Sequence, residues 1–140
     1  MPELPHILMI GCGAVAQCAI PLIVEHITIS GQNIIIIDPV DIRPHLPERI
    51  KNNVQFEKAH ISKDNYTHYL SNYLQPGDIC IDLANKVDTY DILMWCQQHA
   101  IRYLNTALNV WPTPENISFH QLYKKLQNFP HKIAHSPTAR

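Results

Sequence analysis

The chain has no excess of charge of either sign: 11 lysines and arginines face 12 aspartates and glutamates, for a net charge of −1 with histidine neutral. Neither half is strongly biased and no basic stripe appears, so nucleic acid is not the expected partner. Long apolar runs are also missing. The longest stretch, residues 19–24, contains Pro21 and falls far short of the roughly 20 residues a bilayer crossing needs, so no membrane association is expected. Cysteine is sparse and unpatterned. Cys12, Cys18, Cys80 and Cys96 form no CxxC pair and no metal-ligand spacing. No signal-peptide pattern opens the chain, so these are expected to be reduced thiols of a cytoplasmic protein, with Cys80 and Cys96, in apolar surroundings, in the core. The 9 histidines are scattered through predicted loops and surfaces without an HExxH motif, so no metal is expected. There is no internal repeat and no low-complexity segment.

What is present is a regular alternation of short apolar runs and helical patterns in 140 residues, about one domain's worth. Residues 6–10 (HILMI) are apolar and stop at a glycine, as a buried strand does. Residues 15–26 place Val15, Ala19, Leu22 and Ile23 at helical spacing, with Cys18 among them and a bend expected from Pro21. Residues 33–38 (NIIIID) are apolar on both faces, which suits a parallel sheet covered on both sides. An irregular stretch follows, with one helical turn expected at 47–51. Residues 54–59 predict a third strand, and 63–74 a helix with Ser62 as its N-cap. After the Pro76-Gly77 turn, residues 78–83 predict a fourth strand, 89–99 a helix capped by Asp88, and 101–105 a fifth strand. The expected fold is α/β, a doubly wound parallel sheet of the dinucleotide-binding Rossmann type over residues 1–111. Residues 112–140 are expected to be an irregular extension, helical over 118–128 and truncated.

Two of the four glycines lie one residue apart, in the run Gly11-Cys12-Gly13-Ala14-Val15-Ala16. A GxGxxG-like pattern gains meaning when it follows a strand, opens a helix and belongs to a βαβ unit closed by an acidic residue. The predicted strand, the predicted helix and Asp38 supply all three. Gly11 makes the tight turn. Gly13 has no Cβ, which allows a pyrophosphate to approach the backbone. Ala16 is small enough for helix and strand to pack. The unpaired N–H groups of the helix then face the pyrophosphate. Asp38 is expected to accept hydrogen bonds from the adenosine ribose and to repel a 2′-phosphate, so NAD is preferred over NADP. Ligands in such sheets sit outside the carboxyl ends of the strands, which selects Leu83, Ala84 and Asn85 after the fourth strand and Thr106 and Ala107 after the fifth. Residues 59–61 would flank the adenine.

Several stretches together resemble the N-terminal part of the homospermidine synthase family, relatives of saccharopine dehydrogenase. They are the glycine turn followed by Pro21-Leu22-Ile23, the SKDNY of residues 62–66, the YLNTALNVW of residues 103–111 and the PTAR of residues 137–140. The resemblance implies tight NAD binding. It also implies an NAD-dependent joining of two putrescines to homospermidine with loss of ammonia, through hydride transfer and an imine. Gly11, Gly13, Ala16 and Asp38 match its cofactor positions. The family's Thr-x-x-Glu-Pro-Trp stretch is matched by Thr106 and Trp111, whereas Asn109 and Val110 stand in place of its Glu and Pro. Asn109 and Trp111 are therefore the candidate substrate-side residues, with a carboxylate's attraction for a diamine missing at Asn109. Family members are much longer, so the chain is expected to bind the cofactor without completing the reaction alone. A second copy of the chain is a further candidate partner. The alternatives are a stand-alone NAD-binding or interaction module, and the N-terminal part of another saccharopine dehydrogenase-like oxidoreductase.

Overall fold

The computed structural model describes residues 4–27, 30–112 and 119–128. Its elements run β1 (Ile7–Ile10), α1 (Ala14–His26), β2 (Ile34–Asp38), α2 (Glu48–Lys51), β3 (Gln55–Lys58), α3 (Tyr66–Tyr73), β4 (Ile79–Asp82), α4 (Thr89–Gln98), β5 (Arg102–Asn105) and α5 (Phe119–Gln127). The five strands form one sheet in the order β3-β2-β1-β4-β5, with every neighbouring pair parallel. The strand order reverses beside β1, between β2 and β4, and that is where an open α/β sheet leaves a crevice at the carboxyl ends of its strands.

The alternation of side chains along each strand divides the core into two layers. Ile7 and Met9 of β1 and Ile34 and Ile36 of β2 pack on Ala16 and Ile20 of α1 and Ile50 of α2. Leu8, Ile10, Ile35 and Ile37 face the other way, onto Leu70 of α3 and onto Ile92, Trp95 and Cys96 of α4. The four isoleucines of β2 are all buried because that strand has β1 and β3 on its edges and helices on both faces. Each such fully buried aliphatic side chain contributes about 1.5–3 kcal/mol relative to exposure. Cys80 and Cys96 are both in the core, as their surroundings predicted, and Cys18 is exposed.

The strands and long helices lie where the patterns put them, within one to three residues at each end. Two details differ. First, α1 presents a different face. Its buried residues are Ala16 and Ile20, with Ile23 and Val24 packed alongside, whereas Val15 and Leu22 are 59% and 55% exposed. The glycine turn delivers the helix with Ala16 against the sheet, and the buried set then recurs four and seven to eight residues on. Pro21 lies inside α1, which runs unbroken from Ala14 to His26. The second difference is that Ser62 is not the cap of α3. That helix opens at Tyr66, after a turn in which the Ser62 carbonyl accepts from the Asn65 and Tyr66 N–H groups and the Asn65 side chain accepts from the Ser62 N–H. Asn65 competes locally for the backbone, so residues 63–65 leave the helix. Asp88 does cap α4, its carboxylate accepting from the N–H groups of Tyr90 and Asp91. The PTAR stretch and most of the segment from Pro112 to Pro114 lie outside the described residues.

Candidate functional site

The end of β1 turns into α1 through Gly11, Cys12 and Gly13. Gly11 has φ +81°, and a Cβ built on it would lie 2.7 Å from the Ala84 Cα and 2.9 Å from the Ala84 nitrogen. Its glycine is thus required twice, by the left-handed backbone and by the close approach of the loop after β4. Gly13 differs. A Cβ there would meet nothing within 4 Å, so the open space beyond it belongs to the cleft. No side chain caps α1 and no acidic residue lies in its first turn, which leaves the first N–H groups of that helix to meet an anion.

Asp38, at the end of β2, faces this turn. Its Oδ2 accepts from the Cys12 N–H at 2.7 Å and its Oδ1 from the Val40 N–H at 2.8 Å. Two backbone bonds fix the carboxylate and leave each oxygen with further acceptor capacity for hydroxyl groups. Burial, reinforced by the Asp38 charge, pushes the Cys12 thiol up to about 12. Cys12 is therefore a neutral packing residue of the turn rather than a nucleophile.

Two lobes meet at Gly13. The first, of about 380 Å³, lies between the turn, the end of β2 at Ile37–Pro39, residues 59–61 after β3 and residues 83–87 after β4. The second, of about 220 Å³, is lined by Gly13, Ala14, Val15, Ala16, Asp82, Leu83, Ala84, Asn85, Thr106 and Ala107. All fifteen cofactor-side residues named from the sequence, residues 59–61 included, line one lobe or the other, and Gly13, Leu83, Ala84 and Asn85 line both. Asn109 and Trp111 line neither. The Asn109 side chain donates to the Ala84 carbonyl at 3.2 Å. Trp111 is buried in the core, 5.6 Å from the Tyr66 ring, and its indole N–H donates to Asp91. Among the described residues no group of three His, Cys, Asp or Glu side chains is placed to hold a metal, and no helix is long and apolar enough to cross a membrane.

Two polar lining groups were not among the site residues named from the sequence. Lys86 has φ +66°, a conformation side chains rarely adopt, and lines the first lobe; nothing in the run Asn85-Lys86-Val87 signals it. The other is Asp82, whose Oδ1 accepts from the Ala84 N–H at 3.1 Å and whose Oδ2 accepts from the Tyr103 hydroxyl at 2.9 Å. Its register partner in β5 is Asn105, whereas Tyr103, two residues earlier in β5, is paired with Cys80; the bond is thus diagonal, and only the pairing of β4 with β5 brings the two side chains together.

Burial raises the pKa of Asp82 above its ordinary value, outweighing the lowering effect of the bonds from Tyr103 and Ala84. An acid with a raised folded pKa binds more protons folded than unfolded, so its contribution to stability falls as pH climbs from about 4 through the raised value. Asp82→Asn keeps an acceptor for Ala84 and removes the titration. The variant's stability relative to the parent chain is expected to rise across that window in urea melts taken at several pH values. A constant difference would contradict the assignment.

The family described as the saccharopine dehydrogenase NADP binding domain matches residues 7–139 of this chain. Among solved structures, the chain is similar to the crystal structure of homospermidine synthase from Legionella pneumophila in complex with NAD. The TM-score is 0.78 and the identity 23%, with 91% of this chain and 27% of that one covered. The chain thus spans about a quarter of that protein's length, and the likeness is one of fold. No curated protein matches by sequence.

Proposed function

Because the chain belongs to the family of saccharopine dehydrogenase NADP-binding domains, we propose that it binds a nicotinamide dinucleotide across the two lobes, with NAD preferred over NADP. The adenosine half would take the first lobe, the pyrophosphate would lie on Gly11–Gly13 at the start of α1, and the nicotinamide half would take the second lobe beside Thr106 and Ala107. The observation that carries this reading is the Asp38 carboxylate, held by the Cys12 N–H at the wall of the first lobe. A ribose with free hydroxyls donates to it, and a 2′-phosphate brings like charge against it.

When bound, such a cofactor accepts and returns a hydride. The residues of this chain bind it, fix its two halves and shield its flanks with Leu83, Ala84 and Val87. We further infer that the domain serves chemistry of the homospermidine synthase type in a longer polypeptide, acting on a putrescine-type diamine. Among the described residues Asp82 is the one acid lining the second lobe, and it is only 3% exposed. The groups that hold a diamine's ammonium ends would therefore come from outside this domain.

Calorimetric titration of the chain with NAD and with NADP tests the cofactor reading. NAD is expected to bind at least ~10-fold tighter, a difference of about 1.4 kcal/mol. NADP binding as tight as NAD or tighter would remove Asp38 from the ribose.

A further inference from the structure

The loop that follows β5 is bonded along its length to the first turn of α4. Thr89 is only 2% exposed. Its hydroxyl donates to the Ala107 carbonyl at 3.3 Å and accepts from the Asn109 N–H at 3.0 Å. Its own N–H donates to the Asn109 carbonyl at 3.0 Å. The Asn109 side chain continues the chain of bonds to the Ala84 carbonyl, while Asp82 accepts from the Ala84 N–H. Further on, Asp88 accepts from the Trp111 N–H and Asp91 from its indole N–H.

Thr106 and Ala107 form one wall of the second lobe and Ala84 belongs to both lobes. The bonds through Thr89 and Asn109 therefore hold two separate walls of the second lobe at one distance from each other. The first lobe depends on them less, since Asp38, the glycine turn and residues 59–61 are placed by β1, β2 and β3.

We propose that Thr89, with Asn109, latches the loop after β5 to the loop after β4, and that Thr89 is a positioning residue for the half of the cofactor that occupies the second lobe. The proposal rests on the reading that a dinucleotide spans both lobes. A latch made before binding lowers the ordering cost that a nicotinamide ribose would otherwise meet. A hydroxyl that both donates and accepts is what this site uses. Thr89→Val keeps the shape, removes both bonds and leaves the Asn109 N–H without its partner, whereas Thr89→Ser restores both.

The test uses the whole chain and two kinds of readout. The first needs no cofactor: amide hydrogen exchange over residues 105–111. Thr89→Val is expected to speed exchange at Asn109 at least ~10-fold, the scale of one net hydrogen bond, and Thr89→Ser to leave it near the parent rate. The second is titration with NAD and with ADP, which carries the adenosine and pyrophosphate alone. Thr89→Val is expected to weaken NAD about tenfold and ADP less than twofold, with Thr89→Ser near the parent in both. Unchanged exchange would overturn the latch. Equal losses for NAD and ADP, no loss for either, or failure of the serine to rescue would overturn the positioning role. Failure of the parent chain to bind NAD would be a different result, since it would remove the two-lobe reading itself whatever the exchange rates show.

Discussion

Gly11→Ala is expected to destabilise the domain by about 2–4 kcal/mol. Part of this comes from the backbone. At φ +81° an L side chain sits in the left-handed region, at a cost of roughly 1–2 kcal/mol. The rest is contact. The new Cβ would lie 2.7 Å from the Ala84 Cα and 2.9 Å from its nitrogen. Those are backbone atoms, so no side-chain rotation relieves the overlap. The two loops have to part, and Ala84 is tethered by bonds to Asp82 and Asn109. The Gly11 N–H also donates to the Ile37 carbonyl, so a shift in the other direction loosens β1 from β2. For a domain of this size the loss corresponds to a fall in Tm on the order of 10 °C. Gly13→Ala is the matched control, because a Cβ there meets nothing within 4 Å and φ is −74°. Thermal melts of the two alanine variants decide the matter. Equal melting temperatures would mean that the close approach at Gly11 is not a constraint on the fold.

Gly13→Val is expected to abolish dinucleotide binding, with an affinity loss of at least ~100-fold, while the chain still folds. The stability cost is that of a valine at a helix N-cap, about 1 kcal/mol. The binding cost is larger because the space beyond Gly13 is where the two lobes join. A branched side chain there fills the approach to the N–H groups at the start of α1, which no side chain caps. Those N–H groups and the positive end of the helix are the proposed seat of the pyrophosphate, and a phosphate held off by one methyl-sized group loses its direct hydrogen bonds. The measurement is titration with NAD alongside a thermal melt. A folded variant that binds NAD as the parent does would make the glycine a feature of the turn alone, and the cofactor reading would fall with it. Together, the Gly11 and Gly13 variants separate a glycine needed by the fold from one needed by a ligand.

Much of this was legible in the sequence because it rests on local periodicity and on single residues with one physical use. The run of isoleucines from Ile34 to Ile37 announces a strand covered on both faces, and the order of strands and helices implies the doubly wound sheet. Asp88 reads as a cap because its short side chain reaches the N–H groups two and three residues on. The glycines at 11 and 13, followed by a small residue at 16 and an acid at 38, mark the turn from composition and spacing alone. Other features depend on which elements become neighbours. The phase of α1 follows from how the turn sets Ala16 against β1, and the bare apolar pattern fitted the face of Val15 and Leu22 as readily. Asn65 takes the Ser62 N–H only because residues 62–65 turn. The Asp82–Tyr103 bond exists because β4 pairs with β5 in one register. The bonds from Thr89 to residues 107 and 109, and from Asn109 to Ala84, join segments 18 to 25 residues apart. Spacing along a chain encodes periodicity and turns. It does not encode which distant polar groups meet, because that is settled by the packing of α4 beside the ends of β4 and β5.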